Sequence, residues 1–299
     1  VVREGSFERA VRALHITPSA VSQRIRALEE RAGCTLVVRE QPCRATEVGR
    51  QLCQHVDRVR LLEHELQHAL PVALAGQPDE DGARVPLPVA VNADSLATWF
   101  APAVAAFAAQ APVLLELVVD DQDHTAQWLR TGTVLAAVTG SKLAPAGFNS
   151  RSLGAMRYVA AASPAFVARH FPRGVGLAEL ARAPSLQFNA KDALQARWVR
   201  QSLGEDVALL RHTVPSSQAF VAAGLAGMGW GMQPLALVAP HLAAGDLVEL
   251  LPATPLDVPL YWQQARAGST LLEGLTRFVT GEAERALLPP AMGESAGEN

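Results

Sequence analysis

The stretch SFERAVRALHITPSAVSQRIRALEERAG, Ser6 to Gly33, decides how the rest of this chain is read. Phe7, Ala10, Val11 and Leu14 fall at i, i+3, i+4 and i+7. They give a first helix one apolar stripe, with Ser6 placed to cap its amino end and Glu8, Arg9 and Arg12 on the outer face. His15 and Ile16 make a turn. Thr17 is an N-cap and Pro18 stands at the first helical position, where its missing N–H and fixed φ do no harm, so a second helix starts there and ends at Gly33. Its core stripe is Val21, Ile25, Leu28 and Ala32. Thr17, Pro18, Ser19, Ser22, Gln23, Arg24 and Arg26 then form a short, polar, partly cationic surface. Such a surface suits the major groove of double-stranded DNA: Gln pairs bidentately with adenine, Arg with guanine, and Ser meets a base edge or phosphate. The alternative is an ordinary helical hairpin whose polar face meets water, since helix-turn-helix spacing is common in all-α proteins.

The residues that follow favour the first reading. Leu36-Val37-Val38-Arg39 is a β-prone run, Gln41-Pro42 breaks it, and Cys43-Arg44-Ala45 leads to Thr46, which predicts a small wing carrying Arg39 and Arg44. Thr46 caps a long helix reaching Leu70. In it Leu52, Val56, Val59, Leu62, Leu66 and Ala69 recur three or four apart, a coiled-coil seam. A long helix with one apolar stripe and no core of its own requires a partner. Two such chains would present two heads to two half-sites of an interrupted palindrome.

Charge divides the chain in the same way. Residues 1–60 hold 11 Arg and no Lys against 7 acidic residues, a balance of +4; the chain total of −3 leaves −7 for the remainder. Only the head is built to approach phosphate. Cys34, Cys43 and Cys53 match no zinc or CxxC spacing and read as reduced cysteines of a cytoplasmic protein, with a redox sensor as the alternative. No signal peptide and no apolar run of about 20 residues is present, so no membrane span is expected. His64-Glu65-Leu66-Gln67-His68 satisfies HExxH, in which two His one turn apart bind zinc beside a general base. Here it lies on the polar flank of the long helix, with Pro71 and Leu74 where a metzincin needs Gly and a third His, so a zinc hydrolase is the remote alternative. No catalytic residue, metal or cofactor is expected.

Residues 72–84 are polar and turn-rich and read as a linker. Beyond them strands and helices alternate. Strands are expected at Leu87–Val91, Val113–Val119, Val134–Val138, Arg157–Ala162, Leu186–Phe188 and Leu209–Val214, with further strands near Trp230, Leu247 and Tyr261. Helices are expected over Ser95–Gln110 and Ala126–Arg130, from Pro164, up to Leu203, from Gln218 and from Thr270. That order predicts parallel βαβ units in two similar lobes, with a disordered tail at 289–299. Ligands of open α/β sheets lie beyond the carboxyl ends of the strands. There the chain places Asn92, Asp94 and Ser95; Asp120, Asp121 and Asp123; Thr139; Asn189 and Asp192; and Ser216 with Ser217. Hydroxyls and helix N–H groups suit an α-carboxylate, and carboxylates suit an ammonium or a cationic side chain, so an amino acid with extra positive charge fits. The alternative for each is an N-cap or a solvated loop end. Trp262 and Phe188 are candidates for the cleft wall or for the core.

Gly5-Ser6-Phe7, Ala10 to Leu14, Thr17 to Ile25, Leu28-Glu29 and Thr46-Glu47-x-Gly49 resemble the amino-terminal domain of LysR-type transcriptional regulators. Val38 to Glu47 and Val91 to Trp99 resemble its ArgP/LysG-like, lysine- and arginine-sensing branch. The resemblance implies an all-α winged helix-turn-helix head (1–46) and a linker and dimerisation helix (47–71), joined to an α/β, two-lobed, periplasmic-binding-protein-like effector domain of type 2 (85–288). Lobe I would take about 85–156 and 265–288, and lobe II about 157–264. It further implies promoter DNA, RNA polymerase and a second or fourth copy of the chain as partners, lysine or arginine as effector, and a basic amino acid exporter gene as target. Family members begin with a helix before Gly5-Ser6-Phe7, so an amino-terminal truncation is expected.

Overall fold

A computed structural model of the chain describes residues 1–69, 84–120, 125–130, 133–266 and 269–290. They form two compact units, Val1–Val85 with Thr131–Thr133, and Pro86–Arg130 with Val134–Asn299.

In the first unit, α1 (Phe7–Leu14) is capped by Ser6, whose Oγ accepts the Arg9 N–H at 3.1 Å, and α2 (Pro18–Ala32) by Thr17, whose Oγ1 accepts the Ala20 N–H at 3.3 Å. Each such cap contributes about 1 kcal/mol by satisfying a donor the helix leaves unpaired. His15 (φ 50°) and Gly33 (φ 69°) end the two helices in the left-handed conformation. The wing is present: β1 (Val37–Val38) pairs antiparallel with β2 (Arg44–Ala45), Val37 opposite Ala45 and Val38 opposite Arg44. Leu36, Val37 and Cys43 are its buried core, covered by Val1, Val2, Phe7, Ile25, Cys34 and Leu52. α3 (Glu47–Ala69) follows. Gly49 near its start has no room for a side chain, since a Cβ there would lie 2.0 Å from the Leu36 carbonyl oxygen.

The second unit is built on a curled sheet. Among the described residues it has seven strands in the order β10 (Val248–Glu249), β6 (Phe148–Ala162), β11 (Leu256–Ala265), β5 (Ala136–Thr139), β3 (Val85–Asn92) and β4 (Val113–Asp120), with β9 (Gly231–Pro234) also on β6. β3 (Val85–Asn92) and β5 (Ala136–Thr139) are parallel, and β4 (Val113–Asp120) is at the edge. β6 (Phe148–Ala162) and β11 (Leu256–Ala265) are antiparallel along their length, with Leu256 opposite Tyr158 and Ala265 opposite Phe148. β11 also pairs with β5, while β6 pairs with β9 (Gly231–Pro234) and β10 (Val248–Glu249). These two strands therefore belong to both lobes.

The sheet is mixed: β3 with β5 is a parallel pair of the kind expected, while β6, β9, β10 and β11 pair antiparallel. β6 also begins nine residues before the expected Arg157; its leading half runs through Asn149, Ser150, Arg151 and Ser152, polar residues that read as a loop when the exposed side of a crossing strand is not foreseen. The helix expected over Ser95–Gln110 is instead α4 (Ala93–Ser95), a π-helical segment (Leu96–Phe100) and α5 (Ala101–Ala108). Pro102 has no N–H to give the Thr98 carbonyl, and the register changes at that point. α6 (Thr125–Arg130) completes this edge, and α12 (Thr270–Ala286) packs against α5.

Lobe II adds a two-stranded parallel sheet, β7 (Ser185–Gln187) with β8 (Arg211–Thr213). Around it lie α7 (Pro164–His170), α8 (Leu177–Leu180), α9 (Leu194–Leu203), α10 (Ser217–Leu225) and α11 (Leu235–Ala244). Trp198 and Trp230 are fully buried with rings 5.4 Å apart, and the Trp198 Nε1–H donates to the Thr254 carbonyl at 2.9 Å. Trp262 belongs to the core of lobe I, its Nε1–H donating to Thr276 Oγ1 at 2.9 Å.

Candidate functional site

On the head, the predicted face is presented to solvent: Pro18, Ser19, Gln23, Arg24 and Arg26 are exposed and Ser22 is half-buried. Thr17 is committed to its cap and lies 3.1 Å from Ser19 Oγ. Arg26 Nε donates to Glu30 Oε1 at 3.0 Å, but at 80% and 67% side-chain exposure this pair is worth little and yields readily to a phosphate or base. On the wing, Arg44 is exposed and the Arg39 guanidinium lies 5.2 Å over the Phe7 ring, which fixes one end of the wing to α1. Glu29 fixes the other end. Its Oε1 accepts the N–H groups of Leu36 at 2.8 Å and Val37 at 3.1 Å, and these bonds, Leu36 first, hold its pKa below the usual carboxylate range. The exposed face of α2 thus rests on a wing and helix joined by specific bonds.

Along α3, Leu52 packs on the head core and Val59 is half-buried, whereas Val56, Leu62 and Leu66 are 41%, 50% and 59% exposed. Val56 shares a hollow with Leu14, Ile25 and Leu28 of the head, and Leu62 and Leu66 are exposed farther along the helix. The side chains of His64, Glu65 and His68 lie outside the described residues.

In the second unit a cavity of about 30 Å³ is lined by Ala93 and Asp94 from lobe I and by Phe188, Asp192, Ser217 and Met232 among others from lobe II. Asp94 comes from the one-turn α4 that follows β3. Its Oδ2 accepts the Tyr158 hydroxyl at 2.8 Å and its Oδ1 accepts the Ser217 hydroxyl at 2.6 Å. Ser216 is the N-cap of α10, accepting the Ala219 N–H at 3.3 Å. Asp192 is buried and spends its carboxylate on its own loop, accepting the N–H groups of Phe188 at 2.9 Å and Leu194 at 3.0 Å. Asn189 Oδ1 accepts the N–H groups of Lys191 at 2.7 Å and Asp192 at 3.2 Å, a local turn.

Beside Asp94, Asn92 and Ser95 are buried, and among the described residues neither the Asn92 amide nor the Ser95 hydroxyl has a hydrogen-bond partner. Unpaired buried groups of this kind cost about 1–3 kcal/mol each, which a polar ligand or water would recover. Thr139 is buried at the end of β5 and its Oγ1 accepts the Ser141 N–H at 3.1 Å. Asp121 and Asp123 lie outside the described residues, as does the side chain of Asp120. Sequence reasoning missed Tyr158 and Phe220. Tyr158 stands in an otherwise aliphatic run, and the signal was present: a buried phenol needs a partner for its hydroxyl.

A winged helix-turn-helix in one unit and a two-lobed cleft in the other define a ligand-responsive, DNA-binding regulator of transcription. Residues 1–50 match the bacterial regulatory helix-turn-helix protein model of the lysR family and residues 80–284 the LysR substrate binding domain, so the chain belongs to the LysR family. The HTH-type transcriptional regulator ArgP of Pseudomonas aeruginosa is 48% identical over 288 residues, 96% of this chain and 94% of that protein. The crystal structure of ArgP from Mycobacterium tuberculosis covers 97% of this chain and 96% of its own at 41% identity and a TM-score of 0.80. Full-length LysG from Corynebacterium glutamicum with bound effector Arg covers 96% of both chains at 39% identity and a TM-score of 0.69. These relatives are transcriptional regulators, and the chain is a regulator rather than an enzyme. Among the described residues no helix is long and apolar enough to cross a membrane.

Proposed function

We propose that this chain is a cytoplasmic, homo-oligomeric regulator, a dimer or tetramer joined along α3. Its heads read an interrupted dyad in promoter DNA, and its cleft takes lysine or arginine. The observation that carries the effector assignment is the cavity itself: two carboxylates, Asp94 and Asp192, line it, and none of its described lining residues is basic. A cation is the ligand such walls favour. The bound Arg of the LysG relative supports the same choice. Asn92, Ser95, Asp120, Asp121, Asp123, Thr139, Asn189, Ser216 and Ser217 complete the proposed site. The head spans 1–46, the dimer helix 47–71 and the effector domain 85–288.

Effector binding acts on transcription only if it has different affinities for two states of the oligomer, through which RNA polymerase is engaged. A basic amino acid exporter gene is the target this chemistry suits. Calorimetry of the protein against the twenty common amino acids tests the effector. Heat from lysine or arginine alone is expected, and saturable binding of another solute with none of these two refutes it.

A further inference from the structure

Phe188 follows β7 directly and opens the loop, residues 188–193, that leads to α9. Several aromatic rings of this unit pack on one another: Phe100 on Trp262, Phe107 on Phe278, Phe166 on Phe171 and Trp198 on Trp230. Phe188 is half-buried and lines the cavity with Asp94 and Asp192. Its backbone is pinned. The Phe188 N–H donates to Asp192 Oδ2 at 2.9 Å, and the same carboxylate accepts the Leu194 N–H at 3.0 Å and a Gln195 Nε2–H at 3.4 Å. Gln187 Nε2 donates to the Asp192 carbonyl, and Asn189 Oδ1 holds the turn between them. A loop bonded in this way keeps its ring in one place, so little ordering is required of it when a ligand arrives.

Two things meet at this loop: an aromatic face, and a buried carboxylate whose two oxygens are engaged by the loop's own donors. The carboxylate attracts a cation to the wall, while the surface offered for contact is the ring. A cation over a ring face is held by the ring's quadrupole, and more strongly once water is excluded. Planarity then separates the two basic side chains. A guanidinium lies flat on the ring and is weakly hydrated, whereas an ammonium is compact and strongly hydrated. We propose that Phe188 is the specificity-determining residue of the cleft: the cationic head of the effector side chain lies over its ring, which favours arginine over lysine. This rests on the effector cleft proposed above and adds which of the two basic amino acids its wall selects.

The test is calorimetry of the full chain as wild type, F188Y and F188L with arginine, lysine and citrulline. Citrulline has nearly the shape of arginine without its charge, and its affinity is read by competition against arginine. Wild type is expected to bind arginine about tenfold more tightly than lysine. F188Y keeps the ring and should hold arginine within about threefold of wild type. F188L stays apolar but has no ring face. It should bind arginine about tenfold more weakly, and citrulline less than about threefold more weakly, because only the charged ligand uses the quadrupole. Should F188L fail to fold, F188M takes its place, since an unbranched thioether adapts to the gap.

Equal losses for arginine and citrulline in F188L would reduce the ring to a packing contact and overturn the proposal. So would undiminished arginine affinity in F188L, or a wild type that prefers lysine. The underlying reading fails in a different way: a wild type that binds neither arginine nor lysine overturns the basic-amino-acid cleft, and the role of Phe188 with it.

Discussion

The carboxylate of Glu29, near the end of α2, accepts the backbone N–H of Leu36 at 2.8 Å, with the Val37 N–H at 3.1 Å beside it. Two donors at the start of the wing are thus paid for by one side chain of α2, and the wing arginines inherit their position from it. The bonds depress the Glu29 pKa below 4.5. A carboxylate with a lowered folded pKa adds stability that is complete above its unfolded value and is lost as pH falls through the folded one. The head should therefore lose stability as pH drops below about 4.5, the unfolded reference value. Glu29→Gln should melt lower than wild type at pH 7, with the difference shrinking toward acid. Melting curves of both proteins from neutral to acid pH check this, and a pH-independent difference would count against the tether.

The proposed DNA-reading face gives Gln23 and Arg44 different tasks. Gln23 is exposed on α2, where the proposal sets it against base edges, and Arg44 is exposed on the wing. Gln23→Ala should cost about 1–3 kcal/mol on the cognate site and little on random duplex. Arg44→Ala should weaken both and reduce the salt slope by about one. Anisotropy titrations at several salt concentrations, on both duplexes, separate the two.

Gly49 is where α3 crosses the Leu36 carbonyl, which also accepts the Thr46 N–H at 3.0 Å. The atom that a Cβ would strike is backbone and cannot rotate away. Gly49→Ala should destabilise the head by about 1–3 kcal/mol or more, read as faster hydrogen exchange across residues 36–50.

In lobe II, Trp198→Ala removes a fully buried indole and leaves the Thr254 carbonyl without its donor. A loss of about 3–5 kcal/mol is expected in urea unfolding of the effector domain. Trp198→Phe should recover part of it by refilling the volume.

Where the chemistry is local, the chain was legible. Ser6, Thr17, Pro18 and Gly33 each do at a helix end what their residue types predict, and the Gln41-Pro42 break did mark the turn of the wing. Hydrophobic periodicity located most strands of the effector domain for the same reason. What escaped depends on partners far along the chain. The first half of β6 is polar because one side of a crossing strand is open, and Tyr158 reads as core until Asp94, 64 residues earlier, comes to its hydroxyl. Asp192 shows the converse. Its place after a strand singled it out, but which of its oxygens serve its own loop is a matter of backbone geometry that no spacing reveals.

A DNA-reading head governed by a basic amino acid, as proposed, is decided by fluorescence anisotropy of the protein on labelled DNA from upstream of its proposed target gene and on a random duplex, titrated with arginine and with lysine. Tighter binding to the upstream DNA by about 10³-fold or more is expected, with a shift of that affinity on adding arginine or lysine. Equal affinity for the two duplexes, unmoved by either amino acid, would contradict it.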